Sequence, residues 1–202
     1  GYGSYLIPAV MVIIIFQTLL MVIGMVTGEE HMTKGILAYT PFGKSWAVAI
    51  RIVSGKTFVY CSLYAVFSFF LLGLLPHFFS IPNIGNGLYI VLMMIPYLLA
   101  TSFLGLAASR YFTDSEAPLL MIAFFSVGLI FLSGVSYPME LMPWYWKAAH
   151  YIFPAAPATL PFVKLSSMGA SMADIQLEYI TLWIQVIVYF ALSIWVYKRK
   201  LS

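Results

Sequence analysis

Between residues 57 and 109 the chain carries no Asp, Glu, Lys or Arg. Crossing ~30 Å of hydrocarbon as a helix takes only about 20 residues, so a run of this length has to cross and come back. "PHFFSIPNIGNG" (76–87) supplies the break, with Pro, Asn and Gly close together. It leaves spans near 57–79 and 88–109. Further uncharged runs at 5–27, 117–139 and 179–197 bring the expected number to five. Backbone polar groups cannot face lipid unpaired, so each run is expected to be helical. Stretches such as "VMVIII" lack the period-two alternation of a barrel strand. The expected fold class is an all-α integral membrane protein: one transmembrane domain over 1–202, with five transmembrane helices.

Composition agrees. Only 8% of residues are charged, against about 25% in soluble domains, and mean hydropathy is +0.96. A net charge of +3 spread over so few charges speaks of topology, not of nucleic acid. Cys61 is alone, which leaves no disulfide framework and no cysteine metal site. The chain opens "GYGSYLIPA" without Met or a basic leader, so an earlier span is expected ahead of it.

Lys and Arg set the orientation. With loop 28–56 in the cytoplasm, Lys34, Lys44, Arg51, Lys56, Arg110, Lys198, Arg199 and Lys200 all fall inside, and only Lys147 and Lys164 outside. That is a strong positive-inside bias, placing the amino end of the chain outside and the carboxyl end inside.

Catalytic readings find little support. "AYTPFGKS" (38–45) fits a relaxed phosphate-loop pattern, with Ala38 in place of Gly. Such a loop needs a preceding strand and a βαβ unit, whereas a membrane span precedes it and Pro41 removes one backbone donor. It reads instead as a basic turn opening an interfacial helix. His31, His77 and His150 lie on separate loops without metal-ligand spacing. Asp114 and Glu116 read as solvated charges of a short loop. No Asp, Glu, Lys or Arg falls within the spans, which argues against a carrier powered by its own ion or proton pathway.

The loop "GEEHMTKGILAYTPFGKSWAVAIRIVSGK" (28–56) places Glu29 and Glu30 where the first span ends. A short helix over "EEHMTKGILAYT", a hinge at Pro41 and Gly43, and an interfacial helix "KSWAVAIRIVSGK" are expected from its pattern. On physics alone it is equally a solvated connector.

The acidic pair, Gly35, Thr40-Pro41, and Gly55-Lys56 entering the next span resemble the permease subunits of type-2 ABC exporters. "FLSGVSYPMELMPWYWKAAHYIFPAAPATLPFVKL" (131–165) is similar to that family's external segment between its last two spans. The resemblance covers essentially the whole chain, lacking the family's first span and external domain. "GILAY" departs from the acidic residue that the family often carries there.

The resemblance implies a permease of a bacterial cytoplasmic (inner) membrane. It would form a translocation pathway with a second permease copy, homo- or heterodimeric, and be driven by a separate ABC ATPase subunit. Glu29, Glu30, Thr33, Lys34, Gly35, Tyr39, Thr40 and Pro41 would form the coupling helix against the ATPase, with Asp114 and Glu116 as a smaller second contact. No cofactor would be bound by this chain; ATP and Mg would sit on the partner.

The remaining partner is membrane lipid. Segment 134–165 is too aromatic for a solvent loop and too rich in proline for one long helix. It is expected to be re-entrant, with 134–142 folding into the outer leaflet and 143–153 lying as a surface helix. Gly134, Tyr137, Pro138, Met139, Pro143 and Trp144 would then be an external gate, or an aromatic anchor without gating. The competing class is a non-transporting polytopic protein, a scaffold or an intramembrane enzyme, which would have no ATPase partner.

Overall fold

The computed structural model describes residues 2–33, 45–78, 84–109, 111–112 and 116–201. These are helical almost throughout, with no strand among them. Lys34, Gly35, Tyr39, Thr40, Pro41 and Asp114 lie outside the described residues. Among the described residues, four helices are long and apolar enough to cross a membrane.

Helix α1 (Tyr2–Met32) does not stop at Thr27 but continues through Gly28, Glu29 and Glu30. Helix α2 (Trp46–Phe69) begins well before Thr57, because Ser45 caps it: the Ser45 side chain accepts from Val48 N at 3.3 Å. Nothing between Lys56 and Thr57 breaks a helix. The expected interfacial helix and second span are therefore one rod, running through a π-helical turn (Phe70–Leu74) into α3 (Leu75–Phe78). Asn86 then caps α4 (Gly87–Ala108) through Leu88 N at 2.9 Å.

Helix α5 (Ala117–Leu132) is shorter than the expected span 117–139. Its 16 residues reach about 24 Å at 1.5 Å each. Two short helices follow, α6 (Trp144–His150) and α7 (Ala155–Ser167), after a 3₁₀ turn at Met139–Leu141. The later part of segment 134–165, read from sequence as too rich in proline for one long helix, is thus mostly helix. Pro157 falls in the first turn, where an N–H has no helical partner, so only Pro161 removes a bond. A capping box, Ser171 with Asp174, opens a 3₁₀ turn that feeds α8 (Gln176–Leu201).

Helix α4 is central, packing most extensively against α8 and also against α1, α2 and α7. Tyr97 on α4 is fully buried, donates to Val12 O of α1 at 2.6 Å, and sets its ring edge-on to Phe162 of α7. Helix α7 is buried among the long helices, with Ala155, Ala156 and Ala158 fully covered. Small residues of this kind let helix backbones approach closely in a membrane. Much of α2 and one face of α8 instead turn outward Phe58, Leu63, Val66, Ile184 and Ile187.

The bundle has two unlike ends. One carries the end of α1, the start of α2 and the end of α8, with Arg51, Lys56, Lys198, Arg199 and Lys200; it is called the basic end below. The other, called the aromatic end below, carries α3, α6 and the end of α7.

At the aromatic end Gly85 sits directly on the end of α7. Ile84 N and Gly85 N both donate to Ser166 O, at 3.0 and 3.2 Å. A Cβ on Gly85 would lie 1.8 Å from Leu165 O, so backbone would have to move. Gly85→Ala is expected to cost roughly 1–3 kcal/mol as overpacking. Gly55→Ala in α2, with nothing within 4 Å, should instead gain about 0.5–1 kcal/mol. Thermal unfolding of both variants in detergent checks this; equal midpoints would contradict the packing described.

Candidate functional site

At the basic end the last turns of α1 carry Glu29, Glu30, His31 and Met32 beyond the packed core. Glu30 does not face solvent freely. Its carboxylate is ion-paired with Lys56 of α2, and the two side chains are only 24% and 13% exposed. Lys56 Nζ also lies 3.4 Å from the Tyr197 hydroxyl and 5.4 Å from its ring centre. Lys200 also stands 5.4 Å from the ring centre and donates to both Ser109 O and Ser109 Oγ at 3.1 Å. Ammonium groups over an aromatic face are attracted by its quadrupole. One buried tyrosine thus gathers charges from α1, α2 and α8, and through Ser109 reaches the end of α4. A groove of 730 Å³ opens beside the pair, lined by Glu30, Arg51, Gly55 and Lys56 among others.

Of the residues expected to meet a partner, Glu29, Thr33 and Glu116 are exposed and Glu30 is engaged with Lys56. Ser45, the last residue of the phosphate-loop-like stretch 38–45, serves as the cap of α2. Among the described residues no three His, Cys, Asp or Glu side chains come together to hold a metal.

The aromatic end is governed by backbone hydrogen bonding. A helix leaves its last four carbonyls without helical partners, and α5 ends with all four taken. Ser133 N reaches Leu129 O at 2.9 Å, and Ser133 Oγ reaches Ile130 O at 2.7 Å. Gly134 N reaches Phe131 O at 3.3 Å, and His150 Nδ1 reaches Leu132 O at 2.6 Å. Since a carbonyl only accepts, Nδ1 carries the proton. Gly134, at φ +78°, turns the chain away.

The next two residues after His150 are held by α8. Gln185 Nε2 donates to Tyr151 O at 2.7 Å, and the Tyr189 hydroxyl donates to Ile152 O. Phe153 then meets Phe16 edge-on. Residues 150–153 are thus pinned to α5, α8 and α1 in succession.

Around that anchor the expected gate residues divide. Tyr137 and Pro143, with Phe131, Met142 and Trp146, line a cavity of 330 Å³. Met139 packs towards Gly134, its Cγ 3.1 Å from where a Cβ on that glycine would stand. Pro138 is exposed at the N-cap of the 3₁₀ turn, and Trp144 projects with 79% of its surface free. His150, Gln185 and Tyr189 were not singled out from sequence as functional residues. The one available signal is Gln185, the only amide in the span 179–197.

The sequence of this helical bundle also matches a family model. The model for "ABC-2 family transporter protein" matches residues 1–195. The chain belongs to the ABC-2 transporter family. Neither a curated protein nor a solved structure matches it. As a member of this family with four membrane-length apolar helices, the chain is a multi-pass membrane protein and a transport component rather than a catalytic enzyme.

Two outcomes are expected. Because Glu30 and Lys56 are largely covered, a double-mutant cycle of Glu30→Gln and Lys56→Met should give a coupling energy of about 0.5–3 kcal/mol in thermal unfolding. Glu29→Gln, at an exposed position, should change stability by less than about 0.5 kcal/mol. Additive single effects would show the pair to be incidental.

His150 lies outside the spanning helices, and its burial pushes the imidazole pKa below its ordinary 6.5; the Leu132 carbonyl and Glu178 oppose this. The folded protein therefore holds His150 neutral, while the unfolded chain takes up a proton below about pH 6.5. The contribution is complete above that pH and is lost as pH falls through it. The unfolding midpoint should drop between pH 7 and pH 5, and His150→Gln should flatten that drop.

Proposed function

We propose that this chain is the membrane-spanning permease subunit of an ATP-driven exporter in a bacterial cytoplasmic membrane. Two permease copies, identical or not, form the pathway, and separate ABC ATPase subunits bind ATP and Mg. Membership of the ABC-2 transporter family over nearly the whole chain is the observation that carries this reading. The basic end faces the cytoplasm, in keeping with the Lys and Arg distribution. Helix α5 serves as a fifth crossing; its short reach is made up by the segment 133–142 that follows it.

In this reading the tip of α1 and loop 34–44 form the coupling element, with Asp114 and Glu116 as a lesser contact. Glu29, exposed at the tip, meets a basic group on the ATPase, while Glu30 holds α1 to α2 so that a push on the tip moves both. Segment 134–165 caps the outer exit, pivoting on the pinned residues 150–153. Gly134, Tyr137, Pro138, Met139, Pro143 and Trp144 form its moving rim.

The test separates the two glutamates. An exposed charge pair is worth up to about 1 kcal/mol, so Glu29→Lys, which reverses the charge, is the sharper change. In the assembled complex Glu29→Lys should weaken co-purification of the ATPase or uncouple hydrolysis from transport, with the thermal midpoint unchanged. Glu30→Gln should lower the midpoint as well. Full assembly and coupling in Glu29→Lys would place the contact elsewhere.

A further inference from the structure

A groove of 530 Å³ runs between α2 and α4, within the range of roughly 300–1,000 Å³ usual for small-molecule sites. Three features coincide there. Helix α2 widens into its π-helical turn at Phe70–Leu74, a distortion that recurs at functional sites. Ala65, Gly73 and Gly87 leave the space between the helices open, against walls of Leu72, Met94 and Leu98. Ser68 lines the groove, is only 3% exposed, and its Oγ has no hydrogen-bond partner among the described residues.

That hydroxyl decides what the groove suits. In hydrocarbon an unpaired hydroxyl is unfavourable, and a buried one is normally bonded. Cys61 at the same groove already lies 3.6 Å from Ser102 Oγ, and neither approaches Ser68 as a partner. A plain acyl chain would fill the space but leave Ser68 unpaired. A charged ligand would find no Asp, Glu, Lys, Arg or His in the lining. Phe69, Val91 and Ile95 line the groove and are themselves exposed, so it opens on the outer surface of α2 and α4. Between two membrane-length helices, the molecules that reach it are those dissolved in the bilayer.

We infer that this groove binds a lipophilic small molecule carrying one hydroxyl or carbonyl group, which pairs with Ser68. The site lies within one subunit. Binding there needs neither ATP nor a second chain, so it stands apart from the transport reading above.

The protein in liposomes is photolabelled with an eight-carbon alcohol bearing a diazirine, and in parallel with the matching alkane that lacks the hydroxyl. Adducts are mapped by mass spectrometry. The alcohol should label Ala65, Leu72 and Met94 in preference to Phe58 and Val66, and more than the alkane does. The excess should be roughly 2- to 10-fold, the worth of one net hydrogen bond. Ser68→Ala removes only an unpaired hydroxyl, so the fold is kept, and alcohol labelling should fall to the alkane level while alkane labelling stays. Gly73→Leu should reduce both. Equal labelling by the two probes, undiminished alcohol labelling in Ser68→Ala, or adducts spread evenly along α2 would each overturn the site.

Discussion

Everything at the aromatic end depends on where the last carbonyls of α5 find their hydrogen bonds. A helix that ends in water leaves that task to solvent; one whose end is covered by protein, as at Leu132 and Ser133, cannot. Ser133 and Gly134 supply three donors locally, and His150 returns from a separate helix to supply the fourth. Only with that bond made can α5 stop after 16 residues and the chain turn back into the protein. The Gln185 and Tyr189 bonds to the next two carbonyls then fix the path towards α7. Irregular backbone survives here because its carbonyls find donors within the protein.

The basic end solves the opposite problem. There charge is plentiful and must be kept from repelling itself. Lys56 and Lys200 approach one tyrosine from two helices, and the Glu30 carboxylate pairs with the first of them. Exchanging Glu30 for a neutral group would take away the partner of Lys56 beside a ring that Lys200 also approaches, which is why Glu30 matters more to the fold than the exposed Glu29.

Much of the helical bundle was legible in the sequence because a membrane span is set by length and polarity alone. The four long helices follow from uncharged runs. The boundaries were less so. "SGVSYP" after Leu132 has no charge, so hydropathy runs on through it, while the true stop comes from His150, far along the chain. Prolines at 154, 157 and 161 read as breaks, yet buried small residues outweigh the one bond that Pro161 removes. At the basic end, sequence showed acidic residues leaving the first span. It did not show that Lys56, 26 residues later, folds back upon one of them. Pairings of this kind arise from tertiary packing and leave no local pattern.

Helices α1 and α2 each outrun the hydrocarbon. At 1.5 Å per residue the 31 residues of α1 reach about 47 Å, and the 33 from Trp46 to Phe78 about 50 Å. Joined by an ion pair near the tip, they behave mechanically as a braced strut and not as a tether. At Gly24 the strut bears directly on Pro118, where even one added carbon would stand 2.6 Å from that ring. Displacement of the tip therefore has no slack to consume before it reaches the foot of α5, and so the helix whose far end His150 holds.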